Sequence, residues 1–253
     1  TTDTLPSTIE QYRQRKSSLD ALLDRETTAA MAEWKATMRW LMRNDLYFLL
    51  RYGIHRDDIE DPWLLARCKE VQASPNGHID LWAREHYKST IITFGLTIQD
   101  ILRSHGGGDL DAERPEKREV TIGLFSFNSK SAGKFLAMLL DELRSNSTLK
   151  WCFDDILYWE PDKQSPRWSA NGLMVKRKRR YRECTVEAYG LVDSMPTGSH
   201  FYGRVYDDVI TERYARNPEM IQKAVESWEL SLNLGARGGW VRYIGTRYSF
   251  ADP

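Results

Sequence analysis

The sequence LWAREHYKSTII at residues 81–92 indicates the fold of this chain. A short apolar run leads into Arg-x-x-x-Lys-Ser-Thr, and a segment with helical apolar periodicity follows. This order predicts a strand, a tight turn and a helix whose free N–H groups and positive dipole end face an anion. In such a loop Lys88 would bind the outer phosphates and the Ser89 hydroxyl would bind Mg²⁺. The general pattern has glycine where Trp82 and Tyr87 stand, so the loop motif is weak evidence by itself.

A pair of carboxylates ends the β-prone run GRVYDD at residues 203–208. Strands of this kind carry the metal-side aspartate and the water-activating acid of phosphate-loop ATPases. We therefore predict that Asp207 acts through the water shell of Mg²⁺ and that Asp208 orients and deprotonates the attacking water. Two aspartates at a strand end are also common turn chemistry, so this motif is weak on its own as well.

A third motif ends the β-rich run WVRYIGTR at residues 240–247. We predict that Thr246, at the end of this strand, lies near the phosphates and reports hydrolysis to the rest of the subunit. Arg247 would either sense the γ-phosphate or pair with an acidic residue. Three weak motifs in the order loop, acid pair and Gly-Thr are together much more specific than any one of them.

In this combination the motifs resemble those of the large terminase subunit of tailed bacteriophages, in its N-terminal packaging ATPase. Those proteins carry an arginine four residues before the loop lysine, as Arg84 precedes Lys88 here. Their acid pair is Asp-Glu or Asp-Asp, and a Gly-Thr coupling motif follows on the next strand. The segment SFNSKSA at residues 126–132 is similar to the one after the family's second core strand. The chain departs from the family at Tyr87, which replaces glycine, and at Asp208, which replaces the commoner glutamate.

The resemblance covers about residues 60–250 and implies a fold and a set of site residues. The implied fold is an α/β P-loop NTPase of the ASCE type, with a mainly parallel sheet, helices on both faces and an N-terminal helical extension. The implied domains are the extension at residues 1–59 and the ATPase at residues 60–253, with no nuclease domain. The implied roles are ATP binding by Arg84, Glu85, His86, Tyr87, Lys88, Ser89 and Thr90, metal binding by Ser89 and Asp207, catalysis by Asp208 and Arg84, and coupling by Gly245, Thr246 and Arg247.

The resemblance also implies cofactors, partners and a place of action. ATP and Mg²⁺ are the expected cofactors, and ATP hydrolysis would drive dsDNA translocation into a viral procapsid. The expected partners are dsDNA, the portal protein, a small terminase subunit and further copies of this chain in a ring. The protein would act in the host cytoplasm and transiently on the procapsid portal.

One element of the family pattern is missing from its usual place. Many members carry an Arg-Gly shortly before the acid-pair strand, and that arginine completes the site of a neighbouring subunit. Here Thr197 precedes Gly198 instead. The arginine is therefore absent or supplied from elsewhere, for example by Arg204, Arg213 or Arg216.

Two other functions use the same motifs. A helicase-like nucleic-acid remodelling ATPase would share the loop and the acid pair, although such enzymes normally repeat the core or carry further arginine-rich motifs. A degenerate P-loop domain that binds DNA or assembles with little turnover would explain Tyr87 and the missing glycines. ATP turnover measured with and without dsDNA and ring partners would separate both from the packaging motor.

Composition excludes some classes of protein. The 253 residues include 36 basic and 36 acidic side chains, so the net charge gives no argument for nucleic-acid binding. Three cysteines without a Cys-x-x-Cys pattern indicate neither a disulfide framework nor a zinc site. No apolar run reaches the length of a membrane span, so we expect no membrane partner.

A local basic run at residues 176–182, KRKRRYR, is the strongest candidate for DNA contact. It would bind phosphates with a strong dependence on salt. Because it lies between two predicted strands, a solvated hairpin tip is an equally good interpretation. The candidate contact residues are Lys176, Arg177, Lys178, Arg179 and Arg180.

Hydrophobic periodicity predicts the remaining elements. Strands are predicted at residues 78–83, 120–125, 173–175 with 184–188, 204–206 and 241–244, and helices at 88–103, 129–144 and 219–232. Their alternation favours a mainly parallel sheet covered on both faces. In the N-terminal extension, Met31, Trp34, Met38 and Leu41 predict one buried helix face.

Overall fold

The computed structural model describes residues 5–83, 85–103, 119–211 and 217–246. One sheet contains the strands β1 (His78–Leu81), β2 (Ile122–Ser126), β3 (Trp168–Ser169), β4 (Gly172–Leu173), β5 (Val186–Gly190), β6 (Phe201–Asp207) and β7 (Gly235–Gly245). Their order across the sheet is β1-β7-β6-β2-β5-β4-β3. In this order β1, β7, β6, β2 and β5 are parallel to one another. Strands β4 and β3 are antiparallel and extend the sheet beyond β5.

The helices account for most of the other described residues. The α-helices are α1 (Ile9–Leu23), α2 (Thr28–Asn44), α3 (Leu46–Phe48), α4 (Pro62–Ala73), α5 (Thr97–Arg103), α6 (Ser129–Ser145), α7 (Ser147–Cys152), α8 (Pro161–Gln164) and α9 (Pro218–Ser231). Among the described residues, two segments are π-helical, Leu49–Gly53 and Ser89–Leu96, and two are 3₁₀-helical, Asp57–Ile59 and Leu232–Leu234. No helix in the described part of the chain is long and apolar enough to cross a membrane.

Helices cover both faces of the sheet. On one face α5 contacts β7, where Arg242 Nη1 donates to Asp100 Oδ2 at 2.7 Å. On the other face α9 packs on β7, with the rings of Trp228 and Tyr243 edge-on and 5.9 Å apart. The predicted α/β architecture, with a mainly parallel sheet between helices, is therefore confirmed.

Predicted and observed strands differ mainly at their ends. Strand β7 begins at Gly235, before the predicted start at Val241. The earlier part was not predicted, because three glycines and Arg237 give residues 235–239 no apolar alternation. Strand β3 was not predicted, since two residues are too few to show a period. The predicted helices all exist, but the π-helical geometry of Ser89–Leu96 has no signal in the sequence pattern.

The N-terminal helices belong to the main apolar core. Tyr12 and Trp34 are buried in the same cluster as Ile91 in the π-helical segment and Val205 in β6. The prediction of a buried Met31 was wrong, because this side chain is 44% exposed. The buried row instead runs at intervals of four residues through Ala30, Trp34, Met38 and Met42, with Leu41 beside it. The boundary at residues 59 and 60 stays a prediction.

A buried hydrogen bond joins α1 to the start of α3. Tyr12 is fully buried, and its hydroxyl donates to Oδ2 of Asp45. Asp45 Oδ1 in turn accepts from the Phe48 N–H at 2.9 Å and so caps α3. This carboxylate therefore connects the N-terminal helices, and burial raises its pKa.

Tyr12→Phe should lower the free energy of unfolding by about 1–3 kcal/mol, because it leaves a buried carboxylate oxygen without its donor. The matched control is Tyr47→Phe. Tyr47 is equally buried, its ring lies 4.8 Å from that of Tyr12, and its hydroxyl has no hydrogen-bond partner among the described residues. Chemical denaturation should show a clear loss for Tyr12→Phe and little change for Tyr47→Phe. Equal effects would contradict the role of the Tyr12–Asp45 bond.

Candidate functional site

The predicted site residues meet where three neighbouring parallel strands end. Strand β7 lies between β1 and β6, with Leu81 opposite Gly245 and Asp207 opposite Ile244. All three carboxyl ends therefore lie at one edge of the sheet, the edge at which open α/β sheets bind ligands. The loop after β1, the acid pair after β6 and Thr246 after β7 are thereby brought together.

The loop after β1 leads directly into a helix. Lys88 has right-handed helical backbone angles, with φ −52° and ψ −52°, and the Ile91 N–H donates to the Tyr87 carbonyl at 2.8 Å. The helix continues through Ser89–Leu96 into α5. No side chain in the described part of the chain caps its first turn. Its N–H groups and positive dipole end are thus available to an anion.

The loop has the backbone shape of a glycine-rich turn without the glycines. Glu85 has φ of 64° and Tyr87 has φ of 60°, in the left-handed region that favours glycine. Left-handed and right-handed conformations alternate at Tyr87 and Lys88, as in backbone nests that bind anions. The replacement of glycine by Tyr87 therefore leaves the shape of the loop unchanged. It makes the loop less stable, by about 1–3 kcal/mol for each strained residue.

Side chains outside the loop hold this strained backbone. The Asp58 carboxylate lies near the Tyr87 hydroxyl and raises its pKa, and the Arg56 guanidinium lies 6.0 Å from the Tyr87 ring. On the other side, the Trp63 ring packs edge-on against Trp82 and His86, with centroids 5.8 and 5.6 Å apart. The large residues that replace glycine therefore anchor the loop to α4 and to the segment before it.

Lys88 is at the centre of the site. Its side chain is almost fully buried, and its ammonium donates to Thr246 Oγ1. The same Nζ atom lies 3.3 Å from Asp208 Oδ1 and forms an ion pair with it. One cation thus contacts groups from the ends of both β6 and β7.

Asp207 is buried, and its two carboxylate oxygens differ in their hydrogen bonding. Oδ2 accepts a hydrogen bond from the Thr93 hydroxyl. Oδ1 is buried without a hydrogen-bond partner among the described residues. The pKa of Asp207 is raised to about 6, mainly by burial and also by the adjacent Asp208, whereas the Thr93 and Ser89 hydroxyls and Lys88 act to lower it.

Asp208, the second residue of the acid pair, is partly exposed at the same carboxyl edge of the sheet. Its side chain is 39% exposed, and its Oδ1 atom forms the ion pair with Lys88 but no hydrogen bond with any described residue. The backbone has φ of 45°, and the N–H donates to the Ile244 carbonyl at 2.9 Å. The two aspartates thus differ in burial: Asp207 is buried, whereas Asp208 is partly exposed beside Lys88.

These groups fit a magnesium ion that also has phosphate ligands. No cluster of three or more acidic, histidine or cysteine side chains among the described residues provides a protein-only metal site. Mg²⁺ in nucleotide sites needs only one or two protein oxygens, since phosphates and water fill its other positions. The unsatisfied Asp207 Oδ1 and the neighbouring Ser89 hydroxyl are suitable oxygen donors.

An apolar cleft of about 380 Å³ adjoins the site on the α9 side of the sheet. Its walls include Ile79 and Leu81 of β1, Tyr243 of β7 and Trp228 of α9, and Asp208 and Thr246 also line it. Ile79 and Leu81 are more than half exposed, because no described helix covers β1 on this face. Sequence reasoning missed the cleft, since its walls come from elements far apart in the chain.

The remaining predicted site residues lie partly outside the described part of the chain. Arg84 and Arg247 lie outside the described residues, as do Arg213 and Arg216. Gly245 lines the cleft, and Thr90 follows Ser89 in the first helical turn. Arg204 donates to the carbonyl of Leu232 at 3.0 Å, so it contacts the end of α9 within its own chain.

The basic run lies at the opposite edge of the sheet. It connects β4 to the amino end of β5 and is fastened by Glu119, whose carboxylate accepts from the backbone N–H groups of Lys178 and Arg179. Glu119 precedes β2, which is parallel to β5, so both amino ends share this edge. The phosphate-site residues are at the carboxyl ends of the same sheet.

Only part of the basic run is exposed. Lys176 Nζ donates to the Asp154 carbonyl at 2.7 Å and Arg177 Nη1 to the Glu183 carbonyl at 2.8 Å, and both side chains are half-buried. Lys178, Arg179 and Arg180 are exposed. These three are therefore the better candidates for binding an external polyanion.

No protein-family model matches this chain, and no curated protein is significantly similar to it. The function must therefore be inferred from the geometry of the site itself.

Because the carboxyl of Asp207 is buried, we predict that removing its negative charge stabilises the fold. The pKa of this carboxyl in the folded chain, about 6, is above its ordinary value of 3.8. Ionisation therefore lowers the free energy of unfolding above about pH 6, and this cost disappears as the pH falls toward 4. Asp207→Asn should raise the free energy of unfolding at about pH 8 by up to about 3 kcal/mol, and by much less near pH 4. Denaturation at both pH values measures this, and a gain independent of pH would contradict it.

Proposed function

We propose that this chain is a P-loop ATPase of the kind found in phage terminase large subunits, in which ATP hydrolysis drives dsDNA into a procapsid. The main support is one convergence. Lys88, Asp208 and Thr246 come from three distant parts of the sequence, and the Lys88 side chain contacts both of the others at the carboxyl edge of the sheet. The order of strands places the Gly-Thr strand between the loop strand and the acid-pair strand.

In this proposal each residue has a separate chemical task. Lys88 exchanges its contacts with Thr246 and Asp208 for phosphate oxygens, and the N–H groups at the helix start bind the same phosphates. Ser89 and Asp207 hold Mg²⁺, which when bound neutralises the charge on the phosphates. Asp208 orients a water molecule and accepts its proton as the water oxygen bonds to the γ-phosphorus and the bond to the β-phosphate oxygen breaks.

Thr246 would connect the phosphate site to the rest of the domain. Its hydroxyl accepts from Lys88, so nucleotide binding would release it. Two residues before it, Ile244 accepts the Asp208 N–H, and Arg242 forms the buried ion pair with Asp100 of α5. Movement at the end of β7 would therefore reach both the acid pair and the opposite side of the sheet.

Lys88→Ala should abolish ATP hydrolysis, with kcat/KM falling by roughly 10²-fold or more, because the outer phosphates lose their fixed cation. Asp208→Asn should retain Mg·ATP binding while turnover falls by a similar factor, since an amide cannot accept the proton. Lys163→Ala is the control, as Lys163 of α8 is exposed and forms an ion pair with Glu160, the residue before this helix. Phosphate release and titration calorimetry provide the two measurements.

Parent-like hydrolysis by a folded Lys88→Ala variant would exclude this loop as the catalytic site. A parent chain that binds ATP without turnover, even with dsDNA, would favour the degenerate binding module. Displacement of one strand of a duplex would favour the helicase-like alternative.

The exposed basic residues would contact DNA phosphates at the edge of the sheet opposite to the ATP site. Neutralising Lys178, Arg179 and Arg180 together with glutamine should weaken dsDNA binding and reduce the salt slope, d log K/d log[salt], by about 2–3. The control replaces Lys130, Lys134 and Lys223, three exposed lysines on α6 and α9, with glutamine. Fluorescence anisotropy at several salt concentrations measures both. Equal slopes for the two triple variants would show that this loop does not contact DNA and only connects β4 to β5.

A further inference from the structure

Thr93 is a site residue to which no motif points. It lies in the π-helical segment, one turn after Ser89, and its side chain is almost fully buried. Threonine hydroxyls within helices commonly bond to a carbonyl of the preceding turn. Here the hydroxyl instead donates across the core to Asp207 Oδ2, at the end of β6.

This bond makes the two oxygens of Asp207 inequivalent. The terminal torsion of an aspartate is broad, so burial alone does not fix the plane of the carboxylate. With Oδ2 bound by Thr93, the other oxygen is left without a hydrogen-bond partner among the described residues. A buried carboxylate oxygen in this state is stabilised by a cation or by an ordered water molecule.

We propose that Thr93 is a positioning residue for the metal side of the site: by binding Oδ2 it turns Asp207 Oδ1 toward Mg²⁺ or its water shell. The inference rests on the proposed function and adds a residue to it. Ser89, one turn earlier, contributes a hydroxyl at the metal, whereas Thr93 acts only through Asp207.

The same helix contains a matched control. Thr97 lies one turn after Thr93, is fully buried, and its hydroxyl has no hydrogen-bond partner in the described part of the chain. Thr97→Val therefore makes the same chemical change as Thr93→Val without removing a bond to Asp207. Thr93→Ser keeps the hydroxyl and should restore the function.

The experiment measures Mn²⁺ binding by electron paramagnetic resonance with a non-hydrolysable ATP analogue, and ATP turnover as a function of Mg²⁺ concentration. Thr93→Val should raise the Kd for Mn²⁺ by about 10-fold or more, the usual effect of removing a group that orients a metal ligand. Half-saturation of turnover should shift to higher Mg²⁺ by a similar factor, with turnover largely recovered at saturating Mg²⁺. Thr93→Ser and Thr97→Val should bind Mn²⁺ as the parent does.

The possible outcomes separate this inference from the function on which it rests. A parent chain that binds no Mn²⁺ with the analogue would contradict the proposed function. If the parent binds Mn²⁺ and folded Thr93→Val binds it equally well, the role of Thr93 is wrong and the proposed function stands. A loss shared by Thr97→Val, or a loss that Thr93→Ser does not restore, would also overturn the role of Thr93, because the cause would then be packing.

Discussion

The burial of the Lys88 ammonium is the constraint on which this site depends. A buried cation is costly unless it is paired, and here its partners come from the ends of β6 and β7, more than a hundred residues away in sequence. The contacts are possible only while β7 stays between β1 and β6 in its observed register. The sheet therefore fixes the relative positions of the helix start, the acid pair and Thr246, and a phosphate would meet a site that is already assembled.

Several features of this edge reduce stability. Among the described residues, three of the five non-glycine residues with positive φ lie here, at Glu85, Tyr87 and Asp208. The carboxyl of Asp207 is buried with a raised pKa, and one of its oxygens has no hydrogen-bond partner in the described part of the chain. Strain and buried charge that collect in one place are typical of functional sites, where the rest of the fold supports an arrangement that local preferences oppose. This concentration supports an active site over a degenerate domain that only assembles.

The sequence predicted the elements and failed on features that depend on tertiary contacts. Apolar periodicity located the helix after Lys88 and the strand ending at Asp207, because each pattern is set by a single face of one element. It could not place β7 between β1 and β6, since the order of parallel strands depends on how the connections cross the sheet. Met31 was wrongly predicted to be buried, because the buried residues of α2 follow intervals of four and Met31 lies outside that row. Thr93 was missed because its role exists only through a partner on another strand.

The most direct test of the central claim is a crystal structure of the chain with Mg²⁺ and a non-hydrolysable ATP analogue. The account predicts the triphosphate at the start of the helix that follows Lys88, with Lys88 Nζ moved from Thr246 and Asp208 to phosphate oxygens. It also predicts the metal on the Ser89 and Asp207 side. A nucleotide bound elsewhere would contradict the account. So would an unchanged Lys88–Thr246 contact at a saturating concentration of the analogue.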